Sequence, residues 1–500
     1  MTRPPFVEIT GDTAARVGEV DAPALQLVID ESIWQRLQAH LFPGDGEEHA
    51  AVLAAGVVQT ARGGRLLARE LFLARDGVDF VAARRAHRRL TPAFVNDMIR
   101  RCRDEGLTYL AIHNHGHGDA VGFSSIDLAS HERGYPALLD IARGQPVGAL
   151  VLATEALAGD IWTPDGCRHP IGETVVLGRN MRRMYPTPSA VPRAASAIYD
   201  RQARIYGDAG QALLSRLKVG VIGAGGVGLP IVSAMARLGV GHLVVIDSER
   251  VELSNVPRLP ESTRRDAKAL LTASDRPHWT QRLGRRLATP KVELARRVAQ
   301  RARRDITIDT LRGDVSDPAA AAMLIDCDYV FLAADTHLAR AVFNALVFGF
   351  LIPGVQVGSK VEVAAGGAVA DIFSVVRPVT PASGCLWCNG FISPARLTDE
   401  LLPETVREAQ RYLPLDDAPA PSVITLNGIG VAQATNHFLL AVTGLLRDSG
   451  SSGDYRRFEA RSERLRTEIP RRDEGCPECG LGTASLRARG AVHRLPLRNA

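Results

Sequence analysis

Nowhere in the 500-residue chain do about eighteen apolar residues run together, so no membrane-spanning helix is expected. The start, Met1-Thr2-Arg3-Pro4-Pro5, lacks the apolar core of a signal peptide, which points to a cytoplasmic protein without a membrane partner. Seven cysteines are too few for a disulfide scaffold. No internal repeat is present. A strong charge of one sign is missing too: 60 Lys and Arg against 55 Asp and Glu leave a net +5. Arginine runs such as Arg84-Arg85 and Arg301-Ala302-Arg303-Arg304 therefore read as solvated helix faces, and nucleic acid is not an expected partner.

What is there is the balance of a globular chain, 46% hydrophobic and 23% charged, at a length that calls for two or three domains. Arg65–Ala74 and Val147–Ala153 read as strands and Pro92–Asp104 as a helix. Pro186, Pro188 and Pro192 then break the pattern. Beyond them, the short apolar run Leu217–Ile222, a helical segment Gly228–Leu238 and a strand His242–Asp247 make a βαβ unit, and Asp328–Ala333 adds a buried strand. The fold class is α/β. Domains are expected at 1–184 and 195–490, joined by a linker at 185–194, with the polar, Arg-rich stretch 259–287 as an insertion.

Gly223-Ala224-Gly225-Gly226-Val227-Gly228 follows a strand and opens a helix. Glycines there let the backbone approach phosphates, and the helix N-terminus offers free N–H donors. Asp247 closes the next strand, where a carboxylate can bind ribose hydroxyls. Alone, the pattern means a nucleotide or dinucleotide, and NAD is the default.

The flanks change that. Tyr199-Asp200-Arg201-Gln202-Ala203-Arg204-Ile205-Tyr206-Gly207 lies upstream, and Asp247-Ser248-Glu249-Arg250-Val251-Glu252-Leu253-Ser254-Asn255-Val256-Pro257-Arg258 follows without a break. Together these resemble the ThiF/MoeB/HesA family, relatives of ubiquitin-activating enzymes, over residues 195 to 480. The resemblance implies a Rossmann-like adenylating domain with a mostly parallel sheet, which joins a carboxylate to AMP and expels pyrophosphate from ATP-Mg²⁺. Within it, Gly223, Gly225, Gly226, Gly228 and Asp247 would hold the nucleotide. Arg258 and Lys291 match the family's phosphate-binding cations, Asn255 its phosphate-side amide, and Asp335 the acid that holds Mg²⁺. Arg201 matches an arginine that crosses a dimer interface to the partner's ATP, which implies a homodimer. Glu249 stands where Asp is usual, on an arm long enough to reach a cation.

Cys385-x-x-Cys388 and Cys476-x-x-Cys479, in turns with Gly384, Gly475 and Gly480, fit a tetrahedral Cys₄ zinc site. The resembling family has such a site at matching places. Some of its members pass the acyl group to a cysteine after the first pair, but Asn389–Asn427 contains none, so no thioester is expected there. Cys102, Cys167 and Cys327 read as simply buried.

His113-Asn114-His115, followed by Ser124-Ser125-Ile126-Asp127, looks like the signature of JAMM/JAB metalloproteases. Two imidazoles at a strand end and a carboxylate on the next helix supply three zinc ligands and leave one position open for water. The resemblance implies a general base, assigned to Glu48 at the start of what reads as an apolar helical stretch, with Glu47 as the alternative. It also implies Ser124 as oxyanion support. His117 stays open as a substitute ligand, paired with His115. His131 reads as a helix-surface residue.

The expectation is an enzyme of two activities. One half adenylates the C-terminus of a small β-grasp protein, ubiquitin-like or sulfur-carrier, for a downstream conjugating or sulfur-transfer partner. The other hydrolyses a peptide or isopeptide bond at that protein's tail. The alternatives are an N-terminal half that only docks substrate, and a NAD(P)-dependent oxidoreductase.

Overall fold

The apolar run Ala50 to Val58 lies at the centre of the first sheet in the computed structural model. The structure describes residues 25–81, 88–188, 196–363, 368–402, 421–446, 454–493 and 495–497. It divides into two units. Unit 1 comprises Met1–Ala190, Gly349–Leu351 and Thr483–Arg494; unit 2 comprises Val191–Phe348, Ile352–Gly482 and Leu495–Ala500.

Unit 1 has strands β1 (Leu25–Asp30), β2 (Ala50–Thr60), β3 (Gly63–Leu73), β4 (Thr108–Asn114), β5 (Val147–Leu152), β6 (Leu157–Trp162), β7 (Arg168–Ile171), β8 (Glu173–Leu177) and β9 (Met181–Met184). They form one mixed nine-stranded sheet in the order β7-β6-β5-β4-β2-β3-β1-β8-β9. Helices α1 (Glu31–Leu41), α2 (Pro92–Asp104) and α3 (Ser125–Ala142) complete it. Ala51, Leu53 and Ala55 of β2 join the core of α1, with Ile33, Trp34 and Leu37, while Val52 and Ala54 join that of α2 and α3, with Met98, Ile99 and Tyr135. The stretch expected to be helical after Glu48 is therefore a strand. Buried on both faces, it shows no alternation, and a short apolar run of that kind is indistinguishable from a buried helix by period alone.

A segment late in the chain, Thr483–Arg494, belongs to this unit. The sequence reading ran the second domain to residue 490, but Thr483–Arg494 packs within unit 1. Arg487 is buried in an ion pair with Asp30, also buried, whose carboxylate accepts from Ser32 N at 2.8 Å to cap α1. Arg69 donates to the Thr483 carbonyl at 2.9 Å, and Ala491 N donates to the Val57 carbonyl at 2.9 Å. The strap runs so close to β2 that a Cβ on Gly56 would overlap the Ala488 carbonyl. Of the expected linker, Pro186 accepts from Val121 N at 2.8 Å inside unit 1, and 189–194 lie outside the described residues, as do Met1–Pro5 and Arg84-Arg85.

Unit 2 is built on β10 (Lys218–Ile222), β11 (His242–Ile246), β12 (Thr307–Leu311), β13 (Tyr329–Leu332), β14 (Gly354–Val363), β15 (Val369–Val379), β16 (Tyr455–Glu459) and β17 (Arg464–Glu468). Its sheet order is β12-β11-β10-β13-β14-β15-β16-β17. The strands from β12 to β14 pair in parallel, the doubly wound arrangement, and β15 to β17 extend the sheet antiparallel. The helices are α4 (Asp200–Arg216), α5 (Gly228–Leu238), α6 (Ala269–Thr272), α7 (His278–Leu287), α8 (Lys291–Ala302), α9 (Pro318–Ile325), α10 (His337–Gly349), α11 (Pro394–Leu401) and α12 (Ile424–Val442). The stretch taken as an insertion folds into α6 and α7, where Gly284 seats against Leu271 and Thr272. No helix among the described residues is long and apolar enough to cross a membrane.

Candidate functional site

In unit 2 the glycine loop leaves the end of β10, between β11 and β13, where the strand order reverses. That is the place at which open α/β sheets bind ligands. Gly223 has φ +91, and a Cβ there would come within 3.0 Å of the Ala333 carbonyl at the end of β13; a Cβ on Gly228 would overlap the Gly223 carbonyl. Both positions therefore need glycine. No side chain caps the N-terminus of α5; Leu229 N donates to the Gly225 carbonyl at 3.0 Å and Ile231 N to the Val227 carbonyl at 3.4 Å, so the glycine loop itself closes the first turn.

Asp247 braces the loop, accepting from Ala224 N and Glu249 N, each at 2.7 Å. Burial raises its pKa. Lys291 is buried at the start of α8 with its ammonium on the Glu249 carboxylate, the cation that this longer arm reaches. Asn255 is buried, and its Oδ1 accepts from Glu252 N at 3.3 Å, so it shapes the turn that carries Arg258. Arg258 donates to the Ser254 carbonyl at 3.3 Å, and its own carbonyl lies 3.0 Å from where a Gly226 Cβ would be. Asp335 is exposed just past β13, and Arg201 is exposed in the first turn of α4.

Two further residues carry no motif. Asn427 on α12 is buried with its Nδ2 2.7 Å from the Gly226 Cβ position and its Oδ1 accepting from Ser359 Oγ at 2.5 Å. Glu400 on α11 accepts from His337 N at 3.0 Å and Leu338 N at 2.7 Å, capping α10 two residues after Asp335. Asn427 is a lone polar residue in an apolar stretch and Glu400 one of several on a polar helix, so neither gave a signal.

The cysteine pairs, 91 residues apart, meet in unit 2. Cys385 Sγ lies 3.5 Å from Cys388 Sγ and 3.7 Å from Cys476 Sγ, and Cys388 Sγ lies 3.6 Å from Cys479 Sγ. Sulfurs at tetrahedral corners about 2.3 Å from a zinc ion stand about 3.8 Å apart, so the four fit that group. Hydrogen bonding from Cys385 lowers the pKa of the Cys479 thiol, which favours a thiolate in the cluster. Of the other cysteines, Cys102 and Cys327 are buried, but Cys167 is exposed, in the turn between β6 and β7, against expectation.

In unit 1, β4 ends at His113-Asn114, and Asp127 sits in the first turn of α3. His113 Nε2 is 3.1 Å from His115 Nε2 and 3.6 Å from Asp127 Oδ2, and His115 Nε2 is 3.4 Å from the same oxygen. Asp127 Oδ2 accepts from Ser124 Oγ at 2.7 Å and Ser124 N at 2.8 Å, a capping box that holds the carboxylate toward the imidazoles. Burial works against its ionisation, but hydrogen bonds from His113 and Ser124 outweigh that and hold it well below the usual carboxylate range. His115 Nδ1 lies 3.2 Å from the Gly122 carbonyl, the outer bond that fixes a ligand ring. These three are one of two groups among the described residues that can converge on a metal, the cysteines being the other; His117 belongs to neither.

Asn114 ties the preceding segment to this strand, accepting from His49 N at 2.6 Å and donating to the Glu47 carbonyl at 3.3 Å. Ala50 pairs with His113 across β2 and β4. The ladder ends at that pair, and Glu47 and Glu48 lie in the segment just before β2. Both glutamates are half-buried. His131, expected on the surface, is buried and lies 4.7 Å from Tyr135 in a stack.

Residues 199–478 match the model of the ThiF family. The chain is 25% identical over 280 residues to the SAMP-activating enzyme E1 of Haloferax volcanii, covering 55% of this chain and 85% of that protein. It is 26% identical over 275 residues to the sulfur carrier protein ThiS adenylyltransferase of Escherichia coli, covering 55% of this chain and 90% of that one. Among solved structures, E. coli MccB with MccA-N7isoASN aligns at a TM-score of 0.40 and 16% identity, over 57% of this chain and 76% of that.

Proposed function

The chain belongs to the ThiF family, and on that premise we propose that unit 2 adenylates the C-terminal carboxylate of a small β-grasp protein, ubiquitin-like or sulfur-carrier. The observation that carries this reading is the glycine loop at the reversal of strand order, braced by Asp247 and backed by the Arg258 carbonyl. The substrate carboxylate attacks the α-phosphorus of ATP, an acyl–phosphate bond forms, and pyrophosphate leaves. Arg258 and Lys291 offset the charge that develops on the phosphate oxygens, and Asp335 holds Mg²⁺. Lys291 turns from Glu249 to the phosphates when ATP is present. Arg201 serves a partner subunit's ATP in a homodimer. The relatives' names, which speak of SAMP and ThiS, favour a carrier-protein tail over a free amino acid.

The four cysteines hold a structural zinc. Unit 1 hydrolyses the peptide or isopeptide bond at the same tail, with His113, His115 and Asp127 as zinc ligands. Zinc bound there supplies Lewis acidity and one open position for water. Glu48 serves as general base, with Glu47 as the alternative. Ser124, whose hydroxyl donates to Asp127, sets the third ligand as well as supporting the oxyanion.

The test gives purified protein a β-grasp protein with a C-terminal extension. Pyrophosphate exchange into ATP should require the trimmed tail and be lost in Asp335→Asn; exchange without any carrier protein would overturn the substrate assignment. Release of the extension should need zinc and be lost in Glu48→Gln. Cleavage unchanged in that variant would remove Glu48 as base. Absence of cleavage in the wild type would leave unit 1 as a docking part.

A further inference from the structure

His131 is the residue that the sequence misplaced and the function has not used. It lies one helical turn beyond Asp127 on α3, with Tyr135 one turn further along the same face. Phe123, the residue before the capping Ser124, stands 6.4 Å from the His113 ring and 4.9 Å edge-on from His131. His131 stacks on Tyr135 at 4.7 Å, and Tyr135 meets Trp162 of β6 edge-on at 5.7 Å. A continuous column of rings thus runs from the metal ligand His113 to the sheet.

The backbone of α3 needs such support. Gly134 and Pro136 lie inside the helix, one costing conformational entropy and the other removing a main-chain donor. Gly134 has nothing within 4 Å of a Cβ position, so packing does not stiffen the turn there. His131 Nδ1 has no hydrogen-bond partner among the described residues, and neither has the Tyr135 hydroxyl. Burial lowers the His131 pKa to about 4, so the ring is uncharged at neutral pH and adds no cation beside the ligands.

We infer that His131 is a positioning residue for the metal triad: its ring, held between Phe123 and Tyr135, fixes the first turn of α3 and with it the Asp127 carboxylate facing His113 and His115. This rests on the reading of those three residues as a metal site. The shape of the ring matters and its nitrogens do not.

The experiment measures zinc per chain and the affinity of the His/Asp site by competition with a chromophoric chelator, on the full chain. A cooperative melting transition of unit 1 reports that each variant is folded, and zinc kept by the cysteines serves as the internal reference for metal content. Wild type should hold two ions per chain. His131→Ala should weaken the weaker site about tenfold or more, while His131→Phe stays within about twofold of wild type, as does Tyr135→Phe. Where His131→Ala fails to fold, His131→Leu replaces it, filling volume without a flat ring, with the same weakening expected. Wild-type affinity in the Ala or Leu variant overturns the positioning role. A Phe variant as weak as Ala shows that a nitrogen is needed and overturns the stacking account. Wild type holding only the cysteine zinc removes the triad itself, a failure distinct from either.

Discussion

The two clusters that could hold a metal ion are built on opposite plans. The cysteines come from two turns far apart in sequence, and three of the four are buried; their sulfurs already stand close to tetrahedral spacing. The histidines and aspartate come from one fifteen-residue stretch, and all three are only half-buried. Four donors from distant chain segments leave a metal no free position and cross-link the fold. Three donors from one strand end and one helix start leave an open side and cross-link almost nothing. Ligand number and sequence separation, more than ligand identity, thus distinguish a site that holds from a site that works.

That contrast breaks most visibly if Cys476→Ser is mild. Losing one of four ligands should cost several kcal/mol in the stability of unit 2, since metal binding there is folding free energy. We expect loss of one zinc per chain, a lowered melting transition and no pyrophosphate exchange. His113→Ala should lose the other zinc and tail cleavage, with exchange retained. Equal destabilisation by the two variants would erase the distinction drawn here.

Unit 1 draws its own closure from elsewhere, and Arg487→Ala tests it. Removing one partner of the buried Asp30 pair leaves an unpaired carboxylate inside and should cost about 3–5 kcal/mol. The expected result is a large drop in the melting temperature of unit 1 with the cysteine zinc untouched. A shift smaller than about 1 kcal/mol would show the strap to be dispensable. Chelation ranks next: graded EDTA should empty the half-exposed His/Asp site at least about tenfold sooner than the cysteine site. Simultaneous loss would contradict the open and closed assignments.

Legibility followed the range of the interactions. The loop Gly223–Gly228, Asp247 and the strand–helix–strand around them could be read locally, because backbone approach to phosphate needs glycine at fixed places. The cysteine and histidine clusters were readable for the same reason, as ligand chemistry restricts residue types. Ala50–Thr60 misled because burial on both faces erases the period that separates strand from helix. Asn427 and Glu400 were silent, since each acts on a loop that is remote in sequence. The strap could not be read at all: Arg487 in an Arg-rich tail looks like any solvated cation until Asp30, 457 residues away, is placed beside it. His131 fell between these cases, its exposure decided by Phe123 and Tyr135 and not by the polar residues next to it.

The smallest expected effect is acid sensitivity in unit 1 that is independent of the metal. His493 of the strap is buried against Phe350, both its ring nitrogens lack partners among the described residues, and burial lowers its pKa to about 4. An unfolded histidine titrates near 6.5, so between these values the unfolded chain binds the extra proton and stability rises with pH. Stability is therefore full above about pH 6.5 and falls as the pH drops toward 4, by roughly 1–3 kcal/mol for this one group. Metal lost on acidification would add a slope of its own, so the melting curves belong on metal-stripped protein. His493→Phe, which keeps the contact with Phe350, should flatten the slope between pH 7 and pH 5 without changing the melting temperature at pH 8. An unaltered slope would mean that the strap opens before its histidine is charged, and that the closure of unit 1 is looser than its buried Arg487–Asp30 pair implies.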